Sequence, residues 1–275
     1  MKITTILSTH GIPEITADTL DSIRCYMTDE VMLLIDGFGY DKFDNVALPA
    51  YKLKGFNHGF WKSPYRNIVL GLYAASQQFK DSDWYCYMEY DCLVGSSIFK
   101  KDLEEAEKEG IWLLGNDLRF NQEKEKGVDL RMLEKIVGGQ VEEIIYFLGA
   151  CLFYHKDFIK VALEKEFFQR FLYYTNDFRK DFFPFYTAWD LTEHALPTVV
   201  KHFGGKVKQL ACYNKNVGKW TGNYRRYPIR FRPELPYEEE YFLQSSIMHP
   251  IKELDHPIRK YHRAKRSAKR KGEIR

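Results

Sequence analysis

Glu89-Tyr90-Asp91 closes an aromatic, apolar run, Trp84 to Val94, and sets two carboxylates one residue apart. In a strand, positions i and i+2 face the same side, so both acids would project together where the strand leaves its sheet. Magnesium or manganese takes oxygen ligands, commonly one or two carboxylates plus substrate phosphates. A short acidic pair after a buried strand therefore suits a cation held against a diphosphate. A solvated strand end with two unrelated acids has the same spelling, and the order of the surrounding segments must decide.

Three further stretches carry side chains that could do chemistry. In Ala188 to Thr198, Asp190 and Glu193 have capping-box spacing, which a helix start uses structurally. Either acid would also serve as a general base toward a hydroxyl, with Glu193 the first choice and Asp190 the second. In Gly149-Ala150-Cys151, small residues permit a ligand to approach the backbone closely or mark only a bulge. In His249-Pro250-Ile251-Lys252, the histidine offers a ring nitrogen to a metal and the lysine a charge to phosphate oxygens, or the stretch is a surface turn. Lys62, Arg66 and Asn67, around the start of a helix, are either phosphate and ribose contacts or ordinary polar residues of a first turn.

The elements that must position these residues alternate. Lys2 to Ser8 and Val31 to Ile35 read as strands around an amphipathic helix from Pro13 to Met27, a βαβ opening. A second helix is expected from Pro64 to Phe79, leading into the strand that carries Glu89 and Asp91. Ser96 or Ser97 would cap a charged helix through Glu109, and Ile111 to Leu114 returns as a strand. Asn116 to Lys126 reads as a polar loop over the site and Val128 to Val137 as a short helix. Ile144 to Leu148 runs into Gly149, and His155 to Tyr174 has helical spacing throughout. With 45% apolar and 16% aromatic residues, the chain has material for a packed core rather than a disordered body.

Composition narrows the setting. Five scattered cysteines without paired C-x-x-C spacing argue against a zinc ribbon or a disulfide framework and fit a reducing cytoplasm. The N-terminus reads as a strand rather than a signal peptide, and no apolar run approaches a membrane span, so a soluble protein is expected. The net charge of +3 is uneven, because residues 259–275 hold nine Lys or Arg against one acid, or +8, leaving about −5 for residues 1–258. The simplest division is one α/β domain over 1–258 and a basic tail. That tail is either a solvated terminus or a contact to an anionic membrane surface or acceptor, and no nucleic-acid module accompanies it.

In this order the motifs resemble GT-A-fold nucleotide-sugar glycosyltransferases. The resemblance rests on Ser8-Thr9-His10-Gly11 with Asp36-Gly37, then Glu89-Tyr90-Asp91, Gly149-Ala150, Asp190 to Glu193, and His249 to Lys252, spanning residues 2 to 252. It implies a Rossmann-like, mixed but mainly parallel sheet flanked by helices. It assigns Thr9, His10 and Asp36 to the nucleotide base and ribose. Asp91 and His249 would bind Mn²⁺ or Mg²⁺, with Glu89 on the ribose or the metal's water shell, and Lys252 would meet the diphosphate. Lys62, Arg66 and Asn67 would add phosphate or ribose contacts, and Gly149 would lie under the donor. The implied reaction is single displacement with inversion, from a UDP-sugar to a glycan or other hydroxyl acceptor, with Glu193 or Asp190 as base. Glu89 departs from the commoner Asp, and its extra methylene would either shift the metal contact or leave coordination mainly to Asp91. The competing readings are a nucleotidyltransferase of similar sheet, against which no glycine-rich phosphate loop is present, and a noncatalytic protein that binds anions or membranes through the tail.

Overall fold

The computed structural model describes residues 1–37, 39–44, 46, 48–56, 64–120, 131–175, 188–214, 219–222, 226–230 and 245–273. Burial along the first strand sets the architecture. β1 (Ile3–Thr9) is buried at every position, with Ile3 and Leu7 in one core cluster and Ile6 in the other. A strand apolar on both faces belongs inside a sheet that helices cover on both sides. Its threonines satisfy their hydroxyls inside this core: Thr4 meets Ser82, and Thr9 meets Thr16 of α1 (Pro13–Tyr26) at 2.7 Å.

The remaining strands of the sheet are β2 (Val31–Ile35), β3 (Tyr51–Lys54), β4 (Trp84–Glu89), β6 (Ile111–Phe120), β7 (Ile145–His155) and β8 (Lys206–Gln209), with the two-residue β5 (Leu93–Val94) outside it. The order is β3-β2-β1-β4-β7-β6-β8. All neighbours are parallel except β7, which runs antiparallel to both β4 and β6. This is the mixed, mainly parallel α/β sheet expected from the sequence. One face packs on α1 and α3 (Phe99–Lys108) through Leu20, Ile23, Phe99 and Leu103. The other packs on α2 (Pro64–Gln78), α4 (Arg131–Val137), α5 (Lys156–Glu164), α6 (Phe167–Tyr174) and α7 (Ala188–His202). Each fully buried Leu, Ile or Phe side chain in these layers contributes about 1.5–3 kcal/mol.

Four local expectations are corrected. The stretch from Asn116 extends β6 to Phe120 instead of opening a loop, because its pairing with β7 continues to Phe120↔Ile145 after irregularities in register. Helix α3 starts at Phe99 after Ile98, and its first N–H donates to Ser246 Oγ rather than to Ser96 or Ser97, Ser96 itself turning to Ser246 and Ser245. The helical spacing from His155 to Tyr174 is split between α5 and α6, where Glu166 adopts a left-handed φ of 54°. Asp91 lies beyond β4, as described below.

The charge boundary at residue 259 is not a structural one. After β9 (Ala211–Asn214), β10 (Lys219–Gly222) and β11 (Ile247–Met248), the chain forms α8 (Pro257–Arg270), which docks on α1. Arg259 and Arg266 are 0% and 1% exposed, and both pair with Asp18 of α1. Arg266 and Arg270 also bond Asp21. Removing one partner of a buried ion pair typically costs about 3–5 kcal/mol, so these pairs fix α8 to the body. Among the described residues, no helix is long and apolar enough to cross a membrane, and Cys25, Cys86, Cys92 and Cys151 are free thiols.

His262, between the two buried arginines of α8, is itself buried, and neither ring nitrogen finds a hydrogen-bond partner. Burial, reinforced by Lys265 and Arg266, holds its pKa down to about 3. Below about pH 6.5 the unfolded chain takes up a proton that the folded state refuses, so stability falls as pH drops toward 3, by up to about 1.4 kcal/mol per unit. Thermal unfolding of wild type and His262→Leu between pH 7 and 4 should show the smaller loss for the variant; parallel curves would exclude His262 as the source.

Candidate metal and donor site

The acidic pair is placed by a turn. β4 ends at Glu89, and Cys92 N–H donates to the Glu89 carbonyl at 3.0 Å, closing a β-turn with Tyr90 and Asp91 at its corners. Directly afterwards β5 pairs antiparallel with β11, Val94 with Ile247 and Leu93 with Met248. Continuing that register by one step brings His249 beside the turn, although about 160 residues separate them in sequence. His249 Nε2 lies 3.3 Å from Glu89 Oε2 and 3.4 Å from Asp91 Oδ1.

These three residues offer one ligand atom each within 4.8 Å of one another. The second ring nitrogen, Nδ1, faces the Arg230 carbonyl at 2.6 Å and donates to it, which leaves Nε2 pointed at the carboxylates. Asp91 Oδ1 is buried and meets no donor at hydrogen-bonding geometry. A buried carboxylate oxygen without a donor, a second carboxylate and an imidazole with its far nitrogen fixed fit a divalent cation by geometry and donor chemistry. With protein groups alone, burial works against a charged His249, but Asp91 and then Glu89 outweigh it and raise its pKa to about 10. Burial likewise pushes Asp91 up, and the imidazolium, helped by Lys252, brings it below the usual carboxylate value.

The neighbouring strand ends supply a polar wall. His10, after β1, reaches Asp36, after β2, at 3.7 Å, and its ring stands edge-on to Tyr90 with centroids 5.7 Å apart. His10 is half exposed and Asp36 nearly buried. The carboxyl ends of parallel strands are where such sheets bind ligands. Lys252 is exposed and close enough to act on Asp91 electrostatically. Thr9, however, turns its hydroxyl inward to Thr16 and is 0% exposed. Asn67 binds both backbone groups of Phe56, at 2.7 Å and 3.3 Å, and Arg66 stacks on the Phe56 ring and reaches Leu172 of α6. Thr9, Arg66 and Asn67 thus make these contacts within the scaffold. Lys62 lies outside the described residues, as does the side chain of Asp190.

Across β7 stands the second carboxylate group. β7 continues antiparallel past the end of β4, from Met88↔Cys151, so Gly149 and Ala150 lie level with the acidic turn. Cys92 Sγ donates to the Ala150 carbonyl, tying turn and strand together. Gly149 N–H donates to Glu193 Oε1 at 3.4 Å, and Glu193 is only 7% exposed. One turn on, Pro197 lacks the N–H that would bond the Glu193 carbonyl within the helix. The Tyr146 phenol is raised by burial and by the neighbouring Glu193 and Asp117 carboxylates. Arg119 lies over the Tyr146 ring at 4.8 Å and pairs with Asp117, while His194 packs on the same ring. The structure thus adds Tyr90, Tyr146, Asp117, Arg119 and Arg230 to the neighbourhood. The i, i+2 spacing of Asp117 and Arg119 in a segment read as loop gave no reason to choose them.

No protein-family model matches the chain, and no curated protein matches it in sequence. Among solved structures it is similar to a glycosyltransferase involved in the glycosylation of the major capsid of PBCV-1, at 12% identity, covering 96% of this chain and 100% of that one with a TM-score of 0.48. A mannose-1-phosphate geranyltransferase from Thermus thermophilus is similar at 12% identity over 82% of this chain and 78% of that one, with a TM-score of 0.42. TarS 1–349 of S. aureus, in complex with UDP-GlcNAc, is similar at 14% identity over 62% of this chain, with a TM-score of 0.35; the match covers 53% of that structure. At these scores the likeness says nothing about which residues do chemistry.

The polar wall depends on two glycines. A Cβ on Gly39 would stand 2.9 Å from Gly11 Cα and 3.0 Å from the His10 carbonyl carbon, and Gly11 itself has a φ of +93°. This backbone contact packs the loop carrying His10 against the loop after Asp36. Gly39→Ala should lower stability by about 1–3 kcal/mol, the usual cost of overpacking against unyielding backbone. Urea denaturation measures it, and an unchanged midpoint would show that the loops move apart freely.

Proposed function

We propose that the chain is a metal-dependent glycosyltransferase of GT-A type that moves a sugar from a nucleoside diphosphate to an acceptor hydroxyl. The observation that carries this reading is the convergence of Glu89, Asp91 and His249 at the carboxyl edge of the sheet, with the Glu193 carboxylate on the other side of Gly149. A divalent cation held by Asp91, His249 and Glu89 would offset the negative charge that grows on the departing diphosphate. An imidazole nitrogen among the ligands favours Mn²⁺ over Mg²⁺, which prefers an all-oxygen shell.

The chain's own groups have distinct tasks in this scheme. His10 and Asp36 meet the base and ribose, and Lys252 meets a diphosphate oxygen. Gly149 and Ala150, without bulky side chains, leave room above β7 for the sugar. Glu193, oriented by Gly149 N–H and bordered by Tyr146, takes the proton from the acceptor hydroxyl as its oxygen attacks the anomeric carbon and the bond to the diphosphate breaks. Attack opposite the leaving group inverts that carbon. Asp190, at the start of the same helix, is the second choice for base. UDP is the favoured nucleotide, and the acceptor is a glycan or another hydroxyl compound. The outward face of α8, with Lys260 and Lys271 exposed, is left to draw the enzyme to an anionic surface, after Arg259 and Arg266 have been used within the fold.

Two measurements test the proposal. In a thermal-shift screen, Mn²⁺ with UDP should raise the melting temperature more than either alone, because ligands that bind only the folded state stabilise it. Asp91→Asn should abolish the Mn²⁺-dependent part. Glu193→Gln should keep that shift while slowing sugar transfer by about 10²–10⁴-fold, the usual loss on removing a general base. A Glu193→Gln variant that transfers sugar at the wild-type rate removes Glu193 from the mechanism.

A further inference from the structure

The two arms of the metal site, the Glu89–Cys92 turn and the segment after β11, meet again behind the ligands, on one guanidinium. Arg259 of α8 is 0% exposed. Its Nε donates to the Ile251 carbonyl at 2.9 Å, two residues past His249. Its Nη2 faces the carbonyls of Tyr90 and Cys92, at 3.5 and 3.4 Å, one on each side of Asp91. Its Nη1 pairs with Asp18 Oδ2 at 2.8 Å, and both terminal nitrogens reach Thr19 Oγ1 at 3.2 Å. Thr19 in turn donates to the same two carbonyls, at 2.6 and 2.9 Å. Ile251 N–H completes the link by donating to the Asp91 carbonyl at 2.8 Å.

We infer that Arg259 is a positioning residue for the cation site, clamping the Asp91 turn and the His249 segment to α1 so that their ligand atoms converge. The inference rests on the metal reading above and deepens it. Only a planar fork can serve an aspartate and carbonyls from two separate segments at once; a lysine ammonium is a point charge and keeps the pairing with Asp18 while releasing one arm or the other. Arg266 provides the internal comparison. It lies on the same helix and pairs with the same Asp18, but its hydrogen bonds go to Asp18 and Asp21 and to neither arm. Groups behind metal ligands typically change affinity by about 10–100-fold when lost, because the ligands no longer meet at one point.

The test uses the full chain with Mn²⁺ alone as probe, comparing Arg259→Lys with Arg266→Lys. Calorimetric Mn²⁺ affinity and the melting temperature without metal are read for each. Both variants should melt earlier than wild type, and only Arg259→Lys should bind Mn²⁺ more weakly, by about 10–100-fold. Equal affinities in the two variants, whether unchanged or equally weakened, overturn the clamp and leave Arg259 a stabilising ion pair. If Arg259→Lys does not fold, Thr19→Val removes a hydroxyl from the same carbonyls and should weaken Mn²⁺ in the same direction; wild-type affinity there also overturns the clamp. Asp91→Asn separates the two levels. If it binds Mn²⁺ as wild type does, the metal reading fails and the clamp with it, whereas its loss of binding beside normal binding by Arg259→Lys refutes the clamp alone.

Discussion

Two carboxylates held at the edge of a buried sheet repel each other, and the rest of the structure is arranged around the positive charge that reconciles them. At about 4 Å and an effective dielectric near 20, two unit charges interact by about 4 kcal/mol, enough to drive an unsupported turn apart. His249 supplies that charge as an imidazolium when protein groups act alone, which is why its pKa stands near 10 against the cost of burial. A divalent cation would do the same with more charge and with the imidazole neutral. What must stay constant is the geometry: the Glu89–Cys92 turn, the β5–β11 ladder and the fixed Nδ1 of His249.

Much of this was legible in the sequence because it follows from local patterns. The βαβ opening, α2 and the strand before the acids come from apolar periodicity, and β2 falls at the expected residues. The nearness of the acids to His249 follows from the resemblance rather than from a local pattern, and the three groups do lie within 4.8 Å of one another. Strand alternation aligns Glu89 and Asp91 on paper, whereas the strand stops at Glu89 and a turn places Asp91. Thr9 shows the limit in the other direction. The resemblance assigns it to the nucleotide, while its hydroxyl meets Thr16, and only the path of α1 across the sheet reveals that contact. The extension of β6 was illegible for a similar reason: polar residues such as Asn116 and Asp117 carry no strand pattern, and their place is fixed by pairing with β7.

The basic C-terminal segment was the hardest to read because formal charge counts side chains without their partners. Nine basic residues against one acid describe an object that ought to repel itself into solvent. The compensating acids lie some 240 residues earlier, at Asp18 and Asp21, on the face of α1 opposite its apolar side. Once those pairs form, α8 is a wedge with a cationic inner face, and its charge becomes a means of docking. Deleting residues 259–275 would thus remove Arg259 from behind the acidic turn, whereas substitutions on the outward face, at Lys260 and Lys271, isolate surface charge from the fold.

The two carboxylate groups reach the same strand edge from opposite layers. Asp91 is braced by α1 and α8 on one face of the sheet, whereas Glu193 rides on α7, packed on the other through Ala195, Leu196 and Val199. Gly149 and Ala150 of β7 stand between them, and β7 is the one strand in the sheet that runs against its neighbours. Its reversed direction sets this arrangement. A parallel strand here would enter from the far edge of the sheet and end level with β4, while the antiparallel one arrives from beyond the acidic turn and carries backbone N–H groups across the gap toward Glu193. Glu193 and the Glu89, Asp91 and His249 group are thus carried by separate layers, so a change in α7 can move the Glu193 carboxylate without loosening the Asp91 turn.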